Sequence, residues 1–316
     1  MAIQEVEQST AGGASTMLSA AGRSARRGLS VVLRTNSGRI GFAIVMIHLI
    51  LAVFGPWLAP YSPTEFDSED LKIRLTGPSM DHWLGTDQFG RDVLSRVVSG
   101  ARSIIWISFI GTALGISLGT IVGMTSGYIG GKVDQIIMRG VDILLAFPGL
   151  LLALLVINIG AQRINLDLWP SKESWLVIIT IGIAFMPNNS RVIRSAALAI
   201  KPLEFVQSAR LRGESSAYII FREILPNIIP VVAVEASIRV SFALLLTAGL
   251  GFLGLGVQPP TPDWGLMVSE SRQHLSTAPW AATSPALAMA SLVIAVNLLT
   301  DGIRQAVQLP SSEEAP

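Results

Sequence analysis

The sequence predicts an all-α polytopic membrane protein with six transmembrane helices. Three observations predict it. Half of the 316 residues are apolar and only 14% are charged, a balance foreign to soluble domains. Mean hydropathy is positive, at +0.55. Stretches without formal charge run over 40–64, 103–131, 143–162, 174–190, 240–262 and 273–300. A helix needs about 20 apolar residues to cross a hydrocarbon core about 30 Å thick. Nothing alternates at period two, so a β-barrel is excluded.

Trimming the polar ends places the spans at 40–58, 103–125, 142–160, 174–188, 228–250 and 281–301. The fourth is short, and the fifth contains Glu235 and Arg239. The first 39 residues hold five arginines and no apolar core, which rules out a cleavable signal peptide. They read as a disordered polar tail or as a short amphipathic helix on the membrane surface. The segment 59–102 is acidic and turn-rich at first, then helix-like from about Asp92. With a cytoplasmic N-terminus, 14 of the 23 Lys and Arg fall on the inner side and eight on the outer. Five of those eight lie in the long loop 59–102, where the positive-inside rule has less force. Both termini are therefore expected in the cytoplasm, together with the segment before the fifth span.

Several function classes drop out. A net charge of +1 gives no electrostatic case for a nucleic-acid partner. The absence of cysteine removes disulfides, thiolate metal sites and cysteine nucleophiles. His48, His82 and His274 lack metal-ligand spacing, so no metal site is expected. His48, alone in the first span, reads as a packed histidine, with a proton relay as the alternative. Gly115-Ile-Ser-Leu-Gly119 matches the hydrolase elbow pattern, but Ser117 lies in mid-span without a strand–turn–helix context. Gly131-Lys132 resembles the end of a phosphate loop, yet Ser126 and Val133 break the pattern.

In the second span Gly111, Gly115, Gly119, Gly123 and Gly127 recur every fourth residue, which puts them on one helix face. Such a row lets two backbones approach closely in lipid. Tight helix packing is the structural reading; a groove that slides during a conformational change is the functional one. Glu235 and Arg239 are ionisable groups inside a span, at i and i+4 in the favourable order. They read either as a self-neutralising pair or as part of a translocation path.

The stretch QSARLRGESSAYIIFREILPN, 207–227, is polar and helix-prone. Pro202 suits the first turn of a helix over 203–212. Gly213 permits a sharp reversal. A second short helix over 215–225 presents Tyr218, Ile219, Phe221, Arg222 and Leu225, and Pro226 ends it. A helix–turn–helix with so little core of its own needs a partner protein.

This segment resembles the EAA loop of ABC-importer permeases, E-A-A-x₃-G-x₉-I-x-L-P. Gln207, Ser208 and Ala209 occupy the E-A-A positions, Gly213 the glycine, and Leu225-Pro226 the L-P. Gln replaces Glu, Ser replaces the first Ala, and Glu223 stands at the Ile position. Three more stretches strengthen the resemblance: LGTDQFGRDVLSR at 84–96, MRGVDILLAFP at 138–148 and FLGLGVQPPTPDWG at 252–265. They are similar to signature segments of the peptide/nickel-type permeases. Their order matches the C-type subunit of dipeptide and oligopeptide importers.

The resemblance implies a type I ABC-importer transmembrane fold and a non-catalytic subunit in the inner membrane. It divides the chain into a cytoplasmic tail (1–38), a first helix with an extracytoplasmic loop (39–100), a permease domain (101–305) containing the EAA loop (190–227), and a C-terminal tail (306–316). It implies a related B-type permease, two cytoplasmic ATPases that hold ATP and Mg²⁺, and an extracytoplasmic substrate-binding protein. This chain itself would bind no cofactor. The coupling positions carried over are Gln207, Ser208, Ala209, Gly213, Leu225 and Pro226. The expected cargo is a di- or oligopeptide; nickel, opines or oligosaccharides are the alternatives within the family. An ion-coupled secondary transporter is the more remote reading.

Overall fold

The computed structural model describes residue 33 and residues 35–64, 73–163 and 171–308, with side chains as far as 305. Most of the N-terminal tail, the acidic part of the long loop and residues 309–316 lie outside the described residues. The helices are α1 (Asn36–Leu58), α2 (Val93–Ile129), α3 (Gly131–Ala146), α4 (Gly149–Arg163) and α5 (Lys172–Ile200), then α6 (Glu204–Leu211), α7 (Ser216–Phe252), α8 (Trp264–Ser271) and α9 (Pro279–Gln308). Among the described residues the only β pairing is an isolated bridge between Thr86 and Asp92.

Five helices (α1, α2, α5, α7 and α9) are each long and apolar enough to cross a membrane. The span expected at 142–160 is not one helix. It falls across α3 and α4, which meet at a 94° bend. Pro148 is the cause: it disfavours helical backbone in the residue before it, and Phe147 sits at φ −80°, ψ 130°. Counting the bent pair as one passage gives six.

Other boundaries move for stated reasons. Helix α2 starts ten residues earlier than the apolar stretch because the Asp92 carboxylate caps it, accepting from Ser95 N at 2.7 Å. Helix α5 runs on to Ile200, so residues 190–200 are helical rather than loop. Pro226 does not end a short helix before the fifth span. It sits in the first turn after a π-helical stretch, Ile219–Ile224, and the helix continues unbroken from Ser216 to Phe252. The wider turn, in which Leu225 N bonds to Ile220 O five residues back, accommodates a residue that cannot donate.

The glycine row of α2 lies against α5. A Cβ added at Gly111 would come 2.8 Å from Ile181 Cβ, and one at Gly115 3.0 Å from Phe185 Cβ. At Gly119 it would meet Asn189 Nδ2 at 2.5 Å, at Gly123 the Ser190 carbonyl at 2.5 Å, and at Gly127 the Arg194 carbonyl at 3.0 Å. The two helices therefore pack closely from Gly111 to Gly127, and at Gly123 and Gly127 the α2 backbone meets the α5 backbone. Both helices run the same way, toward α6. On the other flank, α1 packs against α9 and α2: a Cβ at Gly41 would lie 2.7 Å from the Ala295 carbonyl.

Three apolar clusters fill the bundle. One, around Trp264, Ile104 and Leu292, lies toward the end away from α6. A second, around Ile181 and Leu250, joins α2, α4, α5 and α7. A third joins α6 and the start of α7 to the ends of α2 and α5 through Val206, Ala209, Ile219, Ile224, Met124 and Ile193. Ile219, expected on an exposed face, is buried in that third cluster.

Candidate functional site

The segment that follows α5 is a wedge. Helix α6 seats Val206 and Ala209 inward and turns Gln207 and Ser208 to solvent. Gln207 donates to the Lys201 carbonyl at 3.3 Å. Arg210 anchors the wedge to the end of α2: its guanidinium lies 4.8 Å from the Tyr128 ring centroid, and its Nε is 3.3 Å from the Tyr128 hydroxyl.

The reversal is a Schellman turn. Gly213 has φ +78°, its N–H bonds the Arg210 carbonyl at 3.0 Å, and Glu214 N bonds the Ala209 carbonyl at 3.2 Å. Nothing lies within 4 Å of a Cβ built at Gly213, so the requirement for glycine there is backbone conformation alone. Ser215 then caps α7 by accepting from Tyr218 N at 3.2 Å. Leu225 is partly buried and Pro226 exposed. The outward face carries Leu203, Phe205, Tyr218 and Phe221, and Leu211 is 89% exposed. Five large apolar groups are thus exposed beside charged ones at this end.

Ion pairs tie the neighbouring helices together at this end. Arg194 of α5 holds Asp134 of α3 through Nε at 2.6 Å and Nη2 at 2.5 Å. The Ser126 hydroxyl of α2 also donates to Asp134. Arg191 holds Asp142 at 2.5 Å. These pairs pin α3 across the end of the glycine-packed α2–α5 pair.

Within the bundle, Arg239 Nε donates to Glu235 at 2.7 Å, and the Arg239 guanidinium lies 5.8 Å from the Phe185 ring centroid on α5. Glu235 is buried. A cavity of ≈ 490 Å³ opens between α1, α2, α7 and α9, bordered by Val45, Thr112, Ser117, Ser237, Val240 and Val296. Glu235 and Arg239 do not border it. His48 is satisfied by packing partners: it bonds the Ile44 carbonyl at 2.9 Å, faces the Ala288 carbonyl at 3.3 Å and Ser291 Oγ at 3.2 Å, and meets Trp264 edge-on. Ser117 is exposed to the cavity. Among the described residues, no group of three His, Cys, Asp or Glu could hold a metal ion.

Sequence reasoning missed a second charged site at the opposite end. The stretch 84–96 folds into a buried node. Arg91 donates to Asp87 at 2.6 Å and to Glu270 of α8 at 2.7 Å. Arg96 lies 3.7 Å from each of the same two carboxylates and donates to the Pro63 carbonyl at 3.0 Å. Asp263 caps α8 by accepting from Leu266 N at 3.0 Å, and full burial pushes its carboxyl up to about 6. The i, i+4 spacing of Asp87 and Arg91 was the available signal. Glu270 and Asp263 are distant in sequence and had none.

Residues 111–309 match the family described as binding-protein-dependent transport system inner membrane component. Residues 33–78 match the N-terminal transmembrane domain of oligopeptide transport permease C. A dipeptide transport system permease protein of Alkalihalophilus pseudofirmus is 37% identical over 268 residues, covering 85% of this chain and 84% of that one. A glutathione transport system permease protein of Pectobacterium atrosepticum is 38% identical over 265 residues, covering 83% of each. Among solved structures, a chain from inward-facing conformations of the MetNI methionine ABC transporter aligns at TM-score 0.55 and 18% identity, over 68% of this chain and 97% of that one. At that identity the likeness is one of fold.

Proposed function

The chain belongs to the family of binding-protein-dependent transport system inner membrane components, and from that premise we propose how it works as a permease subunit. It is a multi-pass inner-membrane protein without catalytic chemistry of its own. We take its cargo to be a di- or oligopeptide, including glutathione-like peptides, because its relatives are named for dipeptide and glutathione transport. It forms half of the translocation path, with a related permease as the other half. Two cytoplasmic ATPases carry ATP and Mg²⁺, and an extracytoplasmic binding protein delivers the cargo. Helix α6, both termini and the Gly213 turn face the cytoplasm.

One observation carries the reading: the exposed Tyr218 and Phe221 belong to a helix that is itself long and apolar enough to cross the membrane. Residues 216–252 form one helix, so a push on Tyr218 or Phe221 moves the whole of α7. Two sites are coupled only through an element whose position both of them bias, and α7 is such an element. Gln207, Ser208, Leu211 and Gly213 form its docking end, with Ala209, Leu225 and Pro226 setting its shape. Glu235 and Arg239 travel with it at mid-helix.

The test is uptake by proteoliposomes containing the assembled transporter. ATP-dependent peptide uptake with a stoichiometric ATPase is expected, and Glu235→Gln should leave the ATP requirement in place. Uptake that follows a proton gradient and persists without ATP would replace this reading with a secondary transporter. Labelling of Leu211→Cys by a membrane-impermeant thiol reagent added only outside intact cells would reverse the orientation.

A further inference from the structure

The loop between α1 and α2 bears an apolar edge that transport does not explain. Met80 is 93% exposed and Trp83 71% exposed. Their turn cannot fold these side chains away, because it is fixed from behind. The Tyr61 hydroxyl donates to the Asp81 carbonyl at 2.9 Å, the Tyr61 ring packs 4.9 Å from His82, and His82 pairs with Asp92, the cap of α2, at 2.9 Å.

Height along the bundle says what covers this edge. Met80 and Trp83 line one open groove of ≈ 290 Å³ together with Leu58, in the last turn of α1, and Leu94, in the first turn of α2. The turn therefore lies level with the ends of two membrane helices. It also continues the outward stripe of α1, whose final turns expose Phe54 and Trp57, the latter at 77%. Tryptophan concentrates at the membrane–water interface, where an apolar ring and a polar N–H are both satisfied. The exposed Asp81 between the two apolar residues fits a turn lying along the headgroups rather than one crossing them.

We propose that the 79–83 turn is an interfacial membrane anchor, seating Met80 and Trp83 in the headgroup region of the leaflet on the side away from α6. This rests on the bundle spanning a membrane and on nothing about cargo or motor.

The cysteine-free chain permits a direct test. Met80→Cys, Asp81→Cys and Trp83→Cys, each spin-labelled in the full chain, are reconstituted in phosphatidylethanolamine–phosphatidylglycerol vesicles. Residues 80 and 83 should collide more with oxygen than with a water-soluble nickel chelate, at a depth of about 5–10 Å. Residue 81 should show the reverse. Aqueous readings at all three would overturn the proposal. So would labels that leave water only when an extracytoplasmic binding protein is added. A second measurement keeps the native side chain: brominated lipids should quench wild-type fluorescence by a component that Trp83→Phe lacks. A difference emission between the two proteins that brominated lipids leave unquenched would equally overturn it.

Discussion

The two ends of α2 hold their neighbours by the same chemistry, arginine against carboxylate, in opposite environments. Away from α6, the Arg91 and Arg96 side chains are each 1% exposed, in a node shared with Asp87 and Glu270. Beside α6, Arg191 is 53% exposed and Asp142 50%. A buried pair that loses one partner strands a charge out of water; an exposed pair that opens is simply rehydrated. The first end therefore opens only at a large cost, whereas the Arg191–Asp142 pair at the second opens cheaply. The adjoining elements agree. The buried node clamps α8 and the 84–92 turn into a block around Trp264. The exposed pair holds Asp142, six residues before the bend at Pro148.

The largest effect should come from breaking the node. Arg91→Leu leaves Asp87 and Glu270 with only Arg96, 3.7 Å from each, and should cost about 3 kcal/mol. Arg191→Leu should cost at most about 1 kcal/mol. Thermal unfolding of the two purified variants in the same detergent checks this. Equal losses would erase the contrast between the ends. Next comes the spine joining them. Gly123→Leu would drive a side chain into the Ser190 carbonyl and the Arg194 nitrogen, both backbone atoms that cannot swing aside. Overpacking of this kind costs about 1–3 kcal/mol. Gly140→Ala, with nothing within 4 Å of the added Cβ, should gain up to about 1 kcal/mol. Unchanged yield of the Gly123→Leu variant on gel filtration would count against the α2–α5 contact.

What the sequence could reveal follows from how local each signal is. The spans, the glycine row and the Gly213 reversal are written in neighbouring residues, and reading them required only periodicity and turn chemistry. The Glu235–Arg239 pair was legible because i, i+4 groups on one helix must meet. Elements that depend on distant partners were not legible. Arg191 and Arg194 looked like the start of a loop because charge marks the end of an apolar run; their acids, Asp142 and Asp134, lie on another helix. Pro226 looked like a terminator because a local rule cannot foresee a π turn that absorbs it. Glu270 carried no signal without the fold that brings it to Arg91.

At the end beside α6, Gly213→Val tests the hinge. A β-branched residue at φ +78° should cost about 1–3 kcal/mol, spent on reshaping the turn rather than on the core, since no neighbour is crowded. ATP-driven uptake should collapse while membrane insertion persists. Gly213→Asn should retain most uptake, because asparagine tolerates the left-handed region. Normal uptake by the valine variant would remove the turn from the mechanism. Equal loss in both variants would mean that flexibility, not backbone hand, is what glycine provides.

The smallest effect is expected where the segment departs from the EAA pattern. Gln207 is exposed, and its side chain donates to the Lys201 carbonyl at 3.3 Å. Gln207→Glu should change stability by no more than about 0.5 kcal/mol, as surface changes generally do. Its consequence should appear in the salt dependence of motor docking. A neutral amide contributes shape and hydrogen bonding, which added salt barely screens. A carboxylate contributes a charge whose reach shrinks to about 8 Å at physiological ionic strength. ATPase co-purification with the Gln207→Glu variant should therefore fall with added salt more steeply than with the native chain. Parallel salt curves would show that this position touches no charged group on the motor. The contribution of this end would then be sought in the exposed apolar groups, Leu211, Tyr218 and Phe221 among them, a grip distinct in kind from the ionic one at the far end of α2.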